Sequence, residues 1–202
     1  MTSGNEPTVY IVDDDQAIRH AMGLLLKSVG LKHELFASGD EFLAAYSAEW
    51  AGCLVLDIRM PGLGGLELQE RLLDAGSTLP VIFITGHGDV PMAVEAMRKG
   101  AVDFIQKPFR DQELLDRVRE ALETDQVRRA EHEQTSEVRD RMDTLTNRER
   151  EVMELVVTGK PNKVIAYELD VSQRTVEIHR ARVMEKMQAR SLADLVRMHM
   201  TA

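Results

Sequence analysis

Hydrophobic positions in the first 110 residues follow two alternating periods. Short β-rich runs at 9–12, 54–56, 81–84 and 102–105 are mostly apolar, as expected of strands covered on both faces. Between them, apolar residues recur every three or four positions. Ile18, Met22, Leu25 and Val29 share one face of a helix over 16–29, and helical spacing returns at 39–47, 65–75, 90–99 and 111–122. Five strand–helix units predict an α/β fold, a parallel sheet flanked by helices through right-handed crossovers.

The pattern changes after Leu122. From 123 to 141 only Val127, Ala130 and Val138 are apolar, and no Pro or Gly interrupts the charged residues. This predicts a partly helical, solvated linker over 123–143, without a seam strong enough for a coiled coil. From Thr144 the spacing is helical throughout. Thr146 and Glu149 form a capping-box signature for a helix to about Thr158, which Gly159 ends. A short helix over 162–169, a tight connection at Asp170-Val171-Ser172, a third helix over 173–187 capped by Ser172 and a fourth opened by Ser191 complete a helix-turn-helix pattern.

Candidate chemistry lies at the ends of the runs. Asp13 and Asp14, Asp57, Thr85 and Lys107 each follow one of them, and parallel strands bring such ends together at the carboxyl edge of a sheet. Carboxylates crowded in this way repel one another and favour a hard divalent cation such as Mg2+. A carboxylate beside Mg2+, with an ammonium and a hydroxyl nearby, is equipped to accept a phosphoryl group. Any one of these acids alone reads as a solvated loop residue; the conjunction of five is what carries the chemistry. Gly62-Leu63-Gly64-Gly65 lacks the Lys-Ser/Thr of a phosphate-binding loop, so ATP is not expected.

Composition narrows the setting. Aromatic residues make up 4% of the 202 residues, which predicts mainly aliphatic cores. The single Cys53 sits in an apolar run and reads as a buried core residue. No leader pattern or membrane-length apolar stretch is present, and the expected location is the cytoplasm. The net charge is -9, unevenly spread: 144–202 carries 10 Lys and Arg against 8 Asp and Glu, while 1–143 carries 15 against 26. Only the C-terminal part is suited to a polyanion.

Ile11-Val12-Asp13-Asp14-Asp15, Leu56-Asp57-Ile58-Arg59-Met60-Pro61-Gly62, Ile84-Thr85-Gly86 and Lys107-Pro108-Phe109 resemble the receiver domain of two-component response regulators. Leu145-Thr146-Asn147-Arg148-Glu149, Asn162-Lys163-Val164-Ile165-Ala166 and the stretch from Ser172 to His179 resemble the LuxR-type helix-turn-helix. Together they resemble the NarL/FixJ class and lean toward its FixJ branch. The resemblance implies a doubly wound, flavodoxin-like five-stranded parallel sheet of order 2-1-3-4-5 followed by a small all-α domain. It divides the chain into a phosphoacceptor receiver at 1–122, the linker at 123–143 and a DNA-binding domain at 144–202.

It also implies roles. Asp57 accepts a phosphoryl group from a sensor histidine kinase. Asp14, Asp57 and the Arg59 carbonyl hold Mg2+, with Asp13 acting through its water shell. Thr85 and Lys107 contact the phosphoryl oxygens, and Phe104 rotates inward when Thr85 moves. A symmetric homodimer then forms, with Val94, Arg98 and Asp103 as interface candidates, and binds promoter DNA, with RNA polymerase as a further partner. The protein is expected to be a regulator rather than an enzyme, catalysing only its own phosphorylation and slow dephosphorylation. The resemblance also implies a cis Lys107-Pro108 bond, whereas Arg59 and His87 flank the site without matching the family's chemistry and are expected, on their position alone, to tune the phosphate's lifetime.

On a helical wheel Val176, His179, Val183 and Met187 take one face of the third C-terminal helix and Arg174, Glu177, Ile178, Ala181, Arg182 and Glu185 the other. The resemblance sets Glu177, Ile178 and Ala181 toward bases and Lys163, Arg174, Thr175 and Arg180 toward the backbone, with Arg182 beside them. Relatives often carry lysines in place of Glu177 and Ala181, so their base preference does not transfer. Pro161 stands where a capping Ser is common, which leaves Asn162 to cap.

Overall fold

A computed structural model of the chain describes residues 6–86 and 90–201. It divides into two compact units, Met1–Arg129 and Ala130–Ala202. The first holds β1 (Thr8–Val12), α1 (Gln16–Ser28), β2 (His33–Phe36), α2 (Gly39–Ala45), β3 (Gly52–Asp57), α3 (Gly65–Asp74), β4 (Val81–Thr85), α4 (Val90–Arg98), β5 (Asp103–Gln106) and the start of α5 (Asp111–Asp143). All strand pairs are parallel, in the order β2-β1-β3-β4-β5. β2 is the strand the apolar runs did not locate: Glu34 and Leu35 are exposed, because an edge strand escapes the double burial of its neighbours.

Strand alternation builds two cores. Val9, Ile11, Cys53, Val55, Ile82, Ile84 and Ile105 pack against Met22 and Leu26 of α1 and Leu114 and Val118 of α5. Tyr10, Val12, Leu54, Leu56 and Phe83 face the other way, against Phe42 of α2, Leu68 and Leu72 of α3 and Ala96 of α4. The cores are mainly aliphatic, with a group of aromatic residues gathered in one corner. Tyr10 stacks on Trp50 at 4.2 Å between ring centres, and Phe36, Phe42 and Tyr46 close around them. Cys53 is fully buried, and burial pushes its thiol well above the ordinary value.

The charged stretch after 122 is helical throughout, because α5 continues without a break to Asp143. Its first part is tied into the first unit. The buried Asp125 carboxylate accepts a hydrogen bond from the Gly52 amide (2.8 Å), and Arg129 donates to the Trp50 carbonyl (3.0 Å). Gly52 has φ +131°, and a Cβ there would lie 1.8 Å from the Thr8 carbonyl oxygen, so only glycine fits.

The second unit adds α6 (Asn147–Val157), α7 (Asn162–Glu168), α8 (Gln173–Lys186) and α9 (Leu192–Thr201) around Val152, Met153, Val156, Ile165, Val176, Val183, Met187 and Leu195. The Thr146–Glu149 capping box is complete, and Ser172 caps α8. Asn162 does not cap α7. Pro161 occupies the N-cap without a side-chain bond, and the Asn162 carboxamide oxygen instead accepts from Arg180 Nη1 at 2.9 Å. Glu149 is buried beneath Lys186, whose Nζ lies 2.6 Å away, and this pair joins the start of α6 to the end of α8.

Candidate functional site

The sheet register brings the strand ends together. Val12 pairs with Leu56, Asp57 with Ile84 and Thr85 with Gln106, so the residues that end β3 and β4 stand beside those that follow β1 and β5. One carboxylate oxygen from each of Asp13, Asp14 and Asp57 lies within 4.8 Å of the others. Lys107 follows β5 through a cis bond to Pro108, and its Nζ sits 2.6 Å from Asp57 Oδ2 and 2.9 Å from Asp13 Oδ2. Asp13 is fully buried, Asp57 nearly so, and Asp14 is exposed.

Burial pushes the Asp13 carboxyl above its ordinary value, although the Lys107 and Asp15 hydrogen bonds pull the other way. Burial alone would lower the Lys107 ammonium, but its bonds to Asp57 and Asp13 outweigh that and hold it above the usual lysine range. The pair therefore stays charged on the lysine side, and the ammonium spans two acids. Asp13 Oδ1 also accepts from the Asp15 amide at 2.8 Å, so both of its oxygens are engaged within the protein. The donor set suits Mg2+: hard carboxylate oxygens, one of them exposed, with more negative charge than a single ammonium neutralises.

The loop below Asp57 leaves little room. The Gly65 amide donates to the Ile58 carbonyl at 3.0 Å, and a Cβ on Gly65 would come within 2.3 Å of the Asp57 carbonyl oxygen. This requires glycine at position 65, while Gly62 is the residue of the loop held at a positive φ, +73°. The Arg59 amide donates to Asp57 Oδ1 at 3.2 Å, and the Arg59 side chain is exposed. The buried Thr85 hydroxyl donates to the Ile105 carbonyl at 3.4 Å, while Phe104 is 37% exposed. His87 lies outside the described residues. Val94 and Arg98 are exposed on α4, and Asp103 is partly buried, 2.9 Å from Arg117 Nε.

These features are those of a receiver, and residues 9–119 match the family described as response regulator receiver domain. Residues 143–199 match the bacterial regulatory proteins of the luxR family. The chain belongs to the NarL/FixJ class of response regulators. This response regulator is 49% identical over 193 residues to Nodulation protein W of Bradyrhizobium diazoefficiens, covering 96% of this chain and 85% of that protein. It is 48% identical over 191 residues to the transcriptional regulatory protein FixJ of Rhizobium meliloti, covering 95% and 94%. A solved structure of response regulator StyR superposes with a TM-score of 0.90 at 43% identity, covering 98% of this chain and all of that one. The regulator is thus a two-component transcription regulator with a receiver and a LuxR-type DNA-binding domain.

In the response regulator's second unit, α8 is sorted by burial. Val176, Val183 and Met187 are buried, whereas Arg174, Glu177, Ile178, Ala181 and Arg182 are exposed, Ile178 at 43%. Lys163 is exposed on α7, and Thr175 is partly buried with its hydroxyl 2.8 Å from that of Ser172. Arg180 lies at the edge of the packed face. It is half-buried on the packed side, bonded to Asn162 and beside Val152, Val156 and Leu195, which is where a residue four past Val176 must fall. His179 is partly buried. No described helix is long and apolar enough to cross a membrane.

Sequence reasoning missed Asp125 and Arg129, the Glu149–Lys186 pair as a cross-tie, and the Gln69 contact to the Ala96 carbonyl (3.4 Å) between α3 and α4. Only Glu149 left a signal, through the capping box; the others are ordinary polar residues whose partners lie far away in sequence.

Proposed function

We propose that this regulator is switched by phosphorylation of Asp57. The observation that carries the reading is Lys107 Nζ, shared between Asp57 and Asp13 beside the exposed Asp14. An Asp57 carboxylate oxygen attacks the phosphorus of a phosphohistidine on a sensor kinase; the acyl-phosphate O–P bond forms as the N–P bond breaks and the imidazole keeps the electron pair. Lys107 turns its ammonium from the carboxylate to the incoming phosphoryl oxygens. Asp14, Asp57 and the Arg59 carbonyl would hold Mg2+, with Asp13 behind its water shell, and the ion would supply charge neutralisation to the phosphoryl group when bound. No turnover of a separate substrate is expected.

The Thr85 hydroxyl leaves the Ile105 carbonyl for the phosphoryl group, and Phe104 turns inward from its exposed position into the space released. The changed α4–β5 surface, with Val94, Arg98 and Asp103, pairs two receivers as a homodimer. Two copies of α8 then meet adjacent half-sites of promoter DNA. Glu177, Ile178 and Ala181 read base edges, while Lys163, Arg174, Thr175, Arg180 and Arg182 meet the backbone. RNA polymerase is the expected downstream partner, and the cytoplasm the expected compartment. We assign 1–122 to the receiver, 123–143 to the linker and 144–202 to the DNA-binding domain.

Incubation with phosphoramidate and Mg2+, followed by intact-mass spectrometry, tests the first step. The wild type should gain one phosphoryl group and Asp57→Asn none. A phosphoryl group gained equally by Asp57→Asn would place the acceptor elsewhere.

A further inference from the structure

The three acids Asp13, Asp14 and Asp15 form the loop between β1 and α1, and that loop is braced from within. Asp13 Oδ1 accepts from the Asp15 amide at 2.8 Å, and the Asp15 carboxylate caps α1 by accepting from the Ala17 amide at 2.7 Å. The remaining tie comes from the helix itself. Arg19, partly buried one turn into α1, donates from Nη1 to the main-chain carbonyl of Asp13 at 2.5 Å. Its amide also donates to the Asp15 carbonyl at 3.0 Å. Arg19 therefore grips the peptide that joins Asp13 to Asp14. The exposed Asp14 carboxylate has no hydrogen-bond partner or ion pair of its own among the described residues, so its position depends on that peptide.

We infer that Arg19 is a positioning residue for divalent-cation binding: by fixing the Asp13–Asp14 peptide it holds the Asp14 carboxylate in place beside Asp57. This deepens the proposed function and rests on its cation site. Groups that orient ligands from behind are commonly worth about tenfold or more in metal affinity. The guanidinium has a second, opposing effect. As a cation near an acidic pocket it repels a divalent ion, so removing it would tighten binding through charge alone.

Salt separates the two effects. At about 1 M ionic strength the screening length is about 3 Å, which suppresses the charge effect and leaves the mechanical one. The experiment is titration of the full-length protein with Mg2+ alone, by calorimetry, in low salt and in about 1 M KCl, for wild type, Arg19→Met and Asp14→Asn. No phosphoryl donor is present, so the readout is independent of phosphorylation. Circular dichroism checks that each variant is folded.

Arg19→Met should bind Mg2+ roughly tenfold more weakly than wild type in high salt, with a smaller deficit in low salt. Affinity equal to or tighter than wild type in high salt, while Asp14→Asn still loses binding, would overturn the positioning role and leave the cation site standing. Wild type that binds no Mg2+ would remove the site itself, and this inference with it.

Discussion

Replacing Glu149 should unlock the second unit without touching the first. Its carboxylate is 2% exposed, accepts from Lys186 Nζ at 2.6 Å and from the Thr146 amide at 2.9 Å, and lies in the complete capping box of α6. The Lys186 hydrogen bond, and then the Thr146 amide, pull its pKa from 4.5 down to about 2. A depressed folded-state value means that the charged form stabilises the fold above the unfolded value, near pH 4.5, and that this contribution is lost as pH falls toward 2. At about 1.4 kcal/mol per unit the gap corresponds to about 3 kcal/mol. Lys186 is 34% exposed and its charge is partly screened, which reduces the figure to about 2 kcal/mol.

Glu149→Ala removes cap and pair together. With a urea slope of about 1 kcal/mol per molar for a unit of this size, its midpoint at pH 7 should fall by about 2 M. Glu149→Gln keeps the capping geometry and should lose roughly half as much. Far-UV circular dichroism follows the helices, while fluorescence of Trp50, the only tryptophan, follows the first unit. The difference between wild type and Glu149→Ala should shrink as pH is lowered from 4.5 to 2. An Ala variant within about 0.3 M of wild type at pH 7, or a Trp50 transition that shifts equally, would refute the reasoning.

Other expectations follow from single contacts. Gly65→Ala should abolish beryllofluoride binding, because its Cβ would press on the Asp57 carbonyl at 2.3 Å; a normal titration by fluorine NMR would show that the loop can yield. Asp125→Ala strips the Gly52 amide of its partner and should cost about 1–3 kcal/mol in the Trp50-detected transition, with the rest of the helical signal unaffected. Arg174→Ala should weaken DNA binding evenly across sequences and reduce the logarithmic salt slope by about 1. Ile178→Ala should instead alter which sequences are selected from a random pool; an unchanged selection would remove Ile178 from base contact.

Legibility in the sequence tracked burial and locality. Strands β1, β3 and β4 announced themselves because double burial keeps their centres apolar, and Asp13, Asp57 and Thr85 were visible at the ends of those runs; Lys107 was visible only behind the weaker run of edge strand β5, which Asp103 interrupts. Edge strand β2, with Glu34 and Leu35 exposed, offered no comparable run. The Thr146–Glu149 capping box was readable because its partners are three residues apart. Asp125 was not, since its partner Gly52 lies 73 positions away and an aspartate in a charged helix looks solvated. Asn162 was misread for a related reason. Its type suits a cap, but Arg180, 18 residues on, takes its carboxamide oxygen.

The central claim is that phosphorylation at Asp57 pairs two copies of this regulator. Sedimentation equilibrium with and without Mg2+ and beryllofluoride, with Asp57→Asn as control, tests it most directly. The wild type should be a monomer that becomes a dimer only when both are present, and the Asp57→Asn protein should remain a monomer. A wild-type mass that stays unchanged while beryllofluoride binds would contradict it.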